Sequence, residues 1–132
     1  LLESARYTQD ETISSRLAAT MLFLGEMIQI HRHLPGSIHP YGQGDFSFRC
    51  LTGEAQMALV FMHYGTLSKE EIWQEYAQRL MAGIMPFWIP LKGINGGLSG
   101  SLPLWGPYMK WCFPNWAAKF YLDAYKIMKT SM

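Results

Sequence analysis

The sequence predicts a small, mainly α-helical domain: a bundle of about four helices with a long irregular segment, rich in Gly, Pro and Trp, before the last helix. Three observations support this prediction. Apolar residues recur at spacings of three and four along several stretches, which is the period of one helix face. Residues able to cap a helix precede some of these stretches. Between residues 83 and 114, in contrast, Gly and Pro are so frequent that neither a helix nor a strand can run the whole length.

The first helix is predicted to begin at Thr8, because Thr8 and Glu11 have the spacing of a capping box. It must end by Leu34, since the residue before Pro35 avoids helical geometry. Its middle part, LAATMLFL, is apolar almost all round, so we expect this helix to be central in the domain. The residues expected on its buried face are Ile13, Leu17, Met21, Leu24 and Ile28.

A loop is predicted over residues 35–49, where Pro, Gly and Asp are frequent. The second helix is predicted from Thr52 to Tyr64, with Gly65 as its C-terminal stop. Because this stretch contains MALVFM, a strand is the alternative, but the Ala, Met and Leu content favours a helix.

The third and fourth helices have clearer boundaries. Ser68 and Glu71 form a second capping box, and Gly83 ends the helix that follows. The last helix is predicted to begin near Asn115, after Pro114. The residues expected on the buried faces are Ile72, Trp73, Tyr76, Ala77, Leu80 and Met81 in the third helix, and Trp116, Phe120, Ala124 and Ile127 in the fourth.

Length and composition indicate one domain, residues 1–132, that hides part of its outer surface. Charged residues make up 16% of the chain, against roughly 25% in average soluble domains. Residues 1–82 hold six basic and nine acidic side chains, a balance of −3, whereas residues 83–132 hold five Lys and one Asp, a balance of +4. The basic, Trp-rich half predicts an acidic partner or an anionic surface. Nucleic acid is not expected as a partner, because Arg is absent after Arg79.

The cysteines and the hydropathy suggest a location. Cys50 and Cys112 do not form a disulfide framework, and Cys112 lies among aromatic residues, as a buried thiol would. No apolar run is long enough for a simple transmembrane helix, and no secretory signal is evident. We therefore expect an intracellular, reducing compartment and a position peripheral to a membrane.

The segment from residue 83 to residue 114 contains more than ten large apolar side chains on backbone that cannot form long regular elements. Fully burying ten of them would contribute roughly 15–30 kcal/mol, at 1.5–3 kcal/mol each, so exposure of all of them is not expected. The segment could fold over this chain's own helices as a lid, lie against another protein subunit, or rest in the headgroup region of a bilayer. Trp alternating with Lys in this half is typical of a membrane interface.

These observations predict a non-catalytic accessory or structural subunit of a larger, membrane-associated assembly, with no cofactor. Its partners would be other protein subunits, with a membrane surface or lipid as a further partner. We expect the segment spanning residues 83–114 to dock the subunit. The predicted docking residues are Phe87, Trp88, Leu91, Lys92, Leu98, Leu104, Trp105, Tyr108 and Trp111.

The alternative is a small enzyme or carrier for a hydrophobic ligand, with residues 83–114 as a lid. The sequence has no nucleophile elbow, and GINGGLSGS lacks the Lys of a phosphate-binding loop. Methionines could line a pocket for a lipophilic ligand such as a quinone, although Met at helical spacing more often fills the core; they are Met57, Met62, Met81, Met85 and Met109. The candidate metal ligands are His31, His33, His39, His63 and Glu54.

Overall fold

The computed structural model describes residues 2–91 and 94–130, without the side chains of residues 89–91 and 94–96. The described chain is mainly helical, as predicted. Its α-helices are α1 (Leu2–Thr8), α2 (Glu11–His31), α3 (Leu51–Ser68), α4 (Ile72–Ile84) and α5 (Asn115–Thr130). Its strands are β1 (Ser37–Ile38), β2 (Gly44–Asp45), β3 (Arg49–Cys50), β4 (Trp88–Leu91), β5 (Ile94–Leu98) and β6 (Ser101–Leu102). One turn of 3-10 helix, Met85–Phe87, follows α4.

The first predicted helix divides into α1 and α2 around Asp10. The Asp10 carboxylate accepts hydrogen bonds from the backbone N–H groups of Thr12, at 2.7 Å, and Ile13, at 3.3 Å, so Asp10 is the N-cap of α2. Thr8 instead ends α1, and its hydroxyl donates to the backbone oxygen of Ser4. The predicted capping box at Thr8 is therefore wrong, because a better acceptor lies two residues further on.

The central helix is α3, not α2. Leu51, Ala55 and Phe61 of α3 have no exposed surface, and α4 and α5 both pack against this helix. In α2 the predicted face does point inward, but Leu22 and Ile30 on its other sides are exposed. The prediction that the first helix is central was wrong, because α2 covers the core from one side only.

A close approach of α3 and α4 explains a second correction. Gly65 does not stop α3; it is buried inside the helix, and a Cβ atom there would lie 3.2 Å from the Cβ of Trp73. The helix ends at Lys69, which has a left-handed φ of 60° and donates its N–H to the oxygen of Gly65. Ser68 is therefore the last residue of α3 and not the N-cap of α4. Glu71 occupies that N-cap position, and its side chain makes no capping hydrogen bond.

The buried face of α4 is largely the one predicted, whereas the buried face of α5 differs from the prediction. In α4 the predicted face is buried except for Ile72, which is partly exposed. In α5 the buried residues are Ala117, Tyr121 and Ala124, whereas the predicted Trp116 is exposed.

Short antiparallel strand pairs join the regions between the helices. β1 pairs with β2, β4 pairs with β5, and β3 pairs with β6. The segment spanning residues 83–114 was predicted to be irregular, but its described part contains β4, β5 and β6. None of the elements that follow α4 in this part exceeds five residues. The β3–β6 pair places Cys50 opposite Ser101, which ties the segment to the start of α3.

Candidate docking surface

The segment spanning residues 83–114 has an inner and an outer part. Residues 98–101 are buried, and Leu98 packs in the core with no exposed surface. Backbone bonds hold this inner part, since Leu51 donates its N–H to the oxygen of Gly100 at 3.1 Å. The outer part, residues 103–113, lies at the surface; we call it the aromatic loop.

Backbone hydrogen bonds close the aromatic loop on itself. The N–H of Trp111 donates to the oxygen of Leu104 at 2.9 Å, and the N–H of Cys112 donates to the oxygen of Met109 at 3.0 Å. At the base of the loop, Gly100 donates its N–H to the oxygen of Cys112 at 3.1 Å. The loop thus satisfies several of its own backbone groups and does not need a partner to do so.

Side-chain contacts fix the loop to the buried inner part. The hydroxyl of Ser101, which is completely buried, donates to the backbone oxygen of Tyr108. A Cβ atom on Gly100 would lie 2.6 Å from the Cβ of Met109, so only glycine lets the loop approach this closely. These contacts make the loop a fixed platform and not a free chain.

Two residues of the aromatic loop have strained backbone conformations. Met109 has a φ of 48° and Trp111 a φ of 60°, both in the left-handed region that residues with bulky side chains rarely occupy. Such conformations persist only where the surrounding bonds impose them, and they cluster at functional positions.

The aromatic loop presents a surface of exposed rings with little charge. Trp105 and Trp111 are each 61% exposed, and their ring centroids are 6.2 Å apart. Tyr108 is also exposed, and Lys110 is the single charged residue between positions 103 and 113. A pair of large apolar rings held at the surface is an unusual feature for a small domain and favours burial by another molecule.

The other predicted docking residues lie in different environments. Phe87 and Trp88 are half-buried: Phe87 lies below the Arg49 guanidinium, and the Trp88 ring is 5.2 Å from that of Tyr121. Leu104 is also half-buried, and Leu98 belongs to the core, where a docking partner does not reach it. The prediction for Lys92 and for the side chain of Leu91 lies outside the described residues.

The structure does not bring the predicted metal ligands together. Within residues 2–91 and 94–130, no three His, Cys, Asp or Glu side chains are placed to hold a metal ion. His31 stacks on Phe46, and His33 contacts the backbone oxygen of Leu34 through Nδ1. The remaining three candidates, His39, His63 and Glu54, lie on separate elements, and Glu54 is already paired with an arginine.

The two cysteines have different surroundings, and both are free thiols in the described chain. Cys50 caps α3 by accepting the N–H of Gly53 at its sulfur, and burial raises the pKa of its thiol. Burial thus disfavours the reactive thiolate, and the sulfur of Cys50 serves as the N-cap of α3. Cys112 is exposed, which corrects the expectation of a buried thiol.

Local sequence patterns do not indicate which apolar residues of the segment spanning residues 83–114 are exposed. Ser101, Gly100 and Gly106 carry the relevant signal, because a buried hydroxyl and two close backbone approaches hold the loop in place. Recognising that signal requires the pairing of Cys50 with Ser101, which lie far apart in the chain.

No described helix combines the length and the hydropathy needed to cross a bilayer. Comparisons with protein-family models, curated proteins and solved structures find no match for this chain. The function of this chain is therefore inferred from the chemistry of the aromatic loop.

Proposed function

We propose that this protein is a non-catalytic accessory subunit of a larger assembly and that it docks to a partner protein through the aromatic loop. The observation that carries the proposal is the pair of exposed indole rings, Trp105 and Trp111, on backbone that is fixed by its own hydrogen bonds. Trp and Tyr are the residues that most often dominate the binding energy of protein interfaces.

The rigidity of the loop favours binding. Ordering a flexible loop costs binding free energy, and a loop that is already closed by bonds such as Trp111 to Leu104 avoids most of that cost. A Trp at the centre of an interface contributes about 2 kcal/mol or more, which is roughly a 30-fold change in Kd. Two such residues side by side are enough to anchor a stable contact.

A protein partner accounts for the loop better than a bilayer alone. Lys110 is its single charge, and one Lys near an anionic membrane contributes about 1 kcal/mol. Association with a membrane is then a property of the whole assembly, as the composition of the sequence predicts. The lid of an enzyme or carrier is a weaker proposal, because the candidate metal ligands form no group able to hold a metal ion within the described part of the chain.

Site-specific photo-crosslinking in the native host tests the proposal. A photoreactive phenylalanine analogue replaces Trp105 in one variant and Tyr108 in another. The control variant carries it at Tyr41, which is 91% exposed and lies far from the loop in sequence. We expect one discrete protein adduct from both loop positions and none from the control. The adduct at position 105 should decrease strongly when Trp111→Ser is added.

Other outcomes would contradict the proposal. Equal adducts from the loop and from Tyr41 would mean non-specific contact. Adducts with lipid alone would mean that the aromatic loop contacts a bilayer surface and not a protein. Absence of any adduct, together with a monodisperse monomer in native extracts, would mean that the exposed rings have no partner.

A further inference from the structure

A second apolar surface lies in the groove between α4 and α5. It has a volume of about 350 Å³ and is open to solvent along one side. Met81 and Tyr121 form its buried floor, while Met85, Tyr125 and Met128 form its walls. Burial raises the pKa of the Tyr121 phenol, with a smaller effect of Tyr125 in the same direction, so the floor is uncharged at neutral pH.

The walls of the groove are too exposed to be ordinary core. Met85 is 61% exposed and Tyr125 is 44% exposed, although both are large apolar side chains. Methionine is unbranched and flexible, and grooves lined by it adapt to the side chains of amphipathic helices. An enclosed pocket would suit a small ligand, but this groove is open, whereas ligand pockets bury most of their ligand.

The charge beside the groove is positive. On α5, Asp123 is paired with Lys119 at 2.7 Å, which leaves Lys126 and Lys129 without an acidic partner among the described residues. The Lys129 ammonium lies 5.7 Å from the centroid of the Tyr125 ring, at the edge of the groove.

The part of α4 that lines the groove, from Gln78 to Met85, carries one charged side chain, the exposed Arg79. Glu75 lies about one turn earlier, and Glu71 lies at the N-cap of the helix. The charges nearest the groove, Arg79 and Lys129, are therefore positive, and the complementary partner is acidic.

We propose that the α4–α5 groove binds an amphipathic helix with acidic residues along the side of its apolar face. Large apolar side chains one turn apart, about 6 Å along the helix axis, would enter between Met85 and Met128. The acidic residues would lie beside Lys129. This site shares no residue with the aromatic loop and does not depend on the function proposed for that loop.

Fluorescence anisotropy with two synthetic peptides tests the proposal. Both are 18-residue helices with the same leucine face, one flanked by Glu and the other by Lys. We expect the wild-type chain to bind the Glu peptide at least tenfold more tightly. Reversing two charges, Lys126→Glu with Lys129→Glu, should remove or invert this preference, whereas the same change at Lys69 and Lys110 should leave it. Met85→Ser, at an exposed position, should weaken both peptides about tenfold or more.

The controls separate this site from folding and from the aromatic loop. Circular dichroism melts establish that each variant is folded before binding is compared. Changing Trp105 and Trp111 to Ser should leave peptide binding unchanged, because those residues lie outside the groove. Equal affinity for the two peptides, no binding of either, or full binding to the Met85→Ser variant would each overturn the proposal.

Discussion

The ion pair between Arg49 and Glu54 makes the sharpest prediction about stability. The side chain of Arg49 is 14% exposed and that of Glu54 1% exposed. Arg49 donates from Nε to one carboxylate oxygen at 2.8 Å and from Nη2 to the other at 2.5 Å. It also donates to the backbone oxygen of Gly83 at 3.3 Å and lies over the Phe87 ring. One guanidinium therefore joins β3, α3, the end of α4 and the 3-10 turn.

Arg49→Met keeps an unbranched side chain but leaves the Glu54 carboxylate buried without its cation. Breaking a buried pair in this way costs about 3–5 kcal/mol. A chain of 132 residues has an unfolding entropy of roughly 0.28 kcal/mol/K, from about 2.1 cal/mol/K per residue. The expected fall in Tm is therefore about 11–18 °C.

The double variant Arg49→Met with Glu54→Leu removes both charges and should recover most of that loss. Replacing a buried ion pair by apolar residues is often neutral, although the bond to Gly83 is lost at about 1 kcal/mol. We expect the double variant within about 2 kcal/mol of the wild type. Urea unfolding followed by circular dichroism measures all three proteins.

Two results would refute this reasoning. One is a loss below about 1 kcal/mol for Arg49→Met, which would mean that water reaches the Glu54 carboxylate. The other is a double variant no more stable than the single one, which would mean that packing by the Arg49 stem, and not charge, is what the single change removes.

Three further predictions concern the segment and the hairpin near its base. Leu98→Ala should lower the free energy of unfolding by about 2–5 kcal/mol, because the side chain is completely buried; urea titration measures this. Gly100→Ala should cost about 1–3 kcal/mol by overpacking against Met109 and should speed proteolysis within the aromatic loop. Hydrogen bonds from Ser47 hold the pKa of Asp45 below its usual range, so Ser47→Ala should raise that pKa toward its ordinary value, as followed by NMR titration.

Each of these predictions has a comparison that can contradict it. Leu67→Ala is the matched control for Leu98, because Leu67 is exposed and its truncation should change stability by less than about 0.5 kcal/mol. Equal losses at the two positions would contradict the placement of Leu98 in the core. An unchanged proteolysis rate for Gly100→Ala would mean that the loop can shift away. An unchanged Asp45 titration would show that the Ser47 hydroxyl has no part in it.

Periodicity in the sequence predicted where most of the helices lie but not how they end or how they are layered. The inward faces of α2 and α4 follow from local spacing, which depends on nothing distant. The predicted helix ends were wrong where a contact with another helix determines the boundary. Gly65 stays helical because α4 packs closely against it, and α3 therefore continues to Ser68. The central position of α3 does not follow from local spacing, since the apolar middle of α2 also predicted a central helix, yet α2 exposes Leu22 and Ile30.

Local sequence patterns also could not predict which part of the Gly- and Pro-rich segment is buried and which is exposed. Leu98 and Trp105 are both large and apolar, and nothing local distinguishes them. Leu98 is buried because the pairing of Cys50 with Ser101 holds residues 98–101 against the start of α3. Trp105 lies beyond this pairing and is exposed.

In the aromatic loop, apolar side chains remain exposed to solvent, but they are fewer than the sequence of residues 83–114 suggested. Several of its backbone groups are bonded within the chain, as in the bond from Trp111 to Leu104, so these groups require no partner. Two indole rings remain exposed, and attraction between apolar surfaces has little directionality. Specificity in the proposed docking must then come from the fixed positions of the rings, which the strained backbone at Met109 and Trp111 supplies.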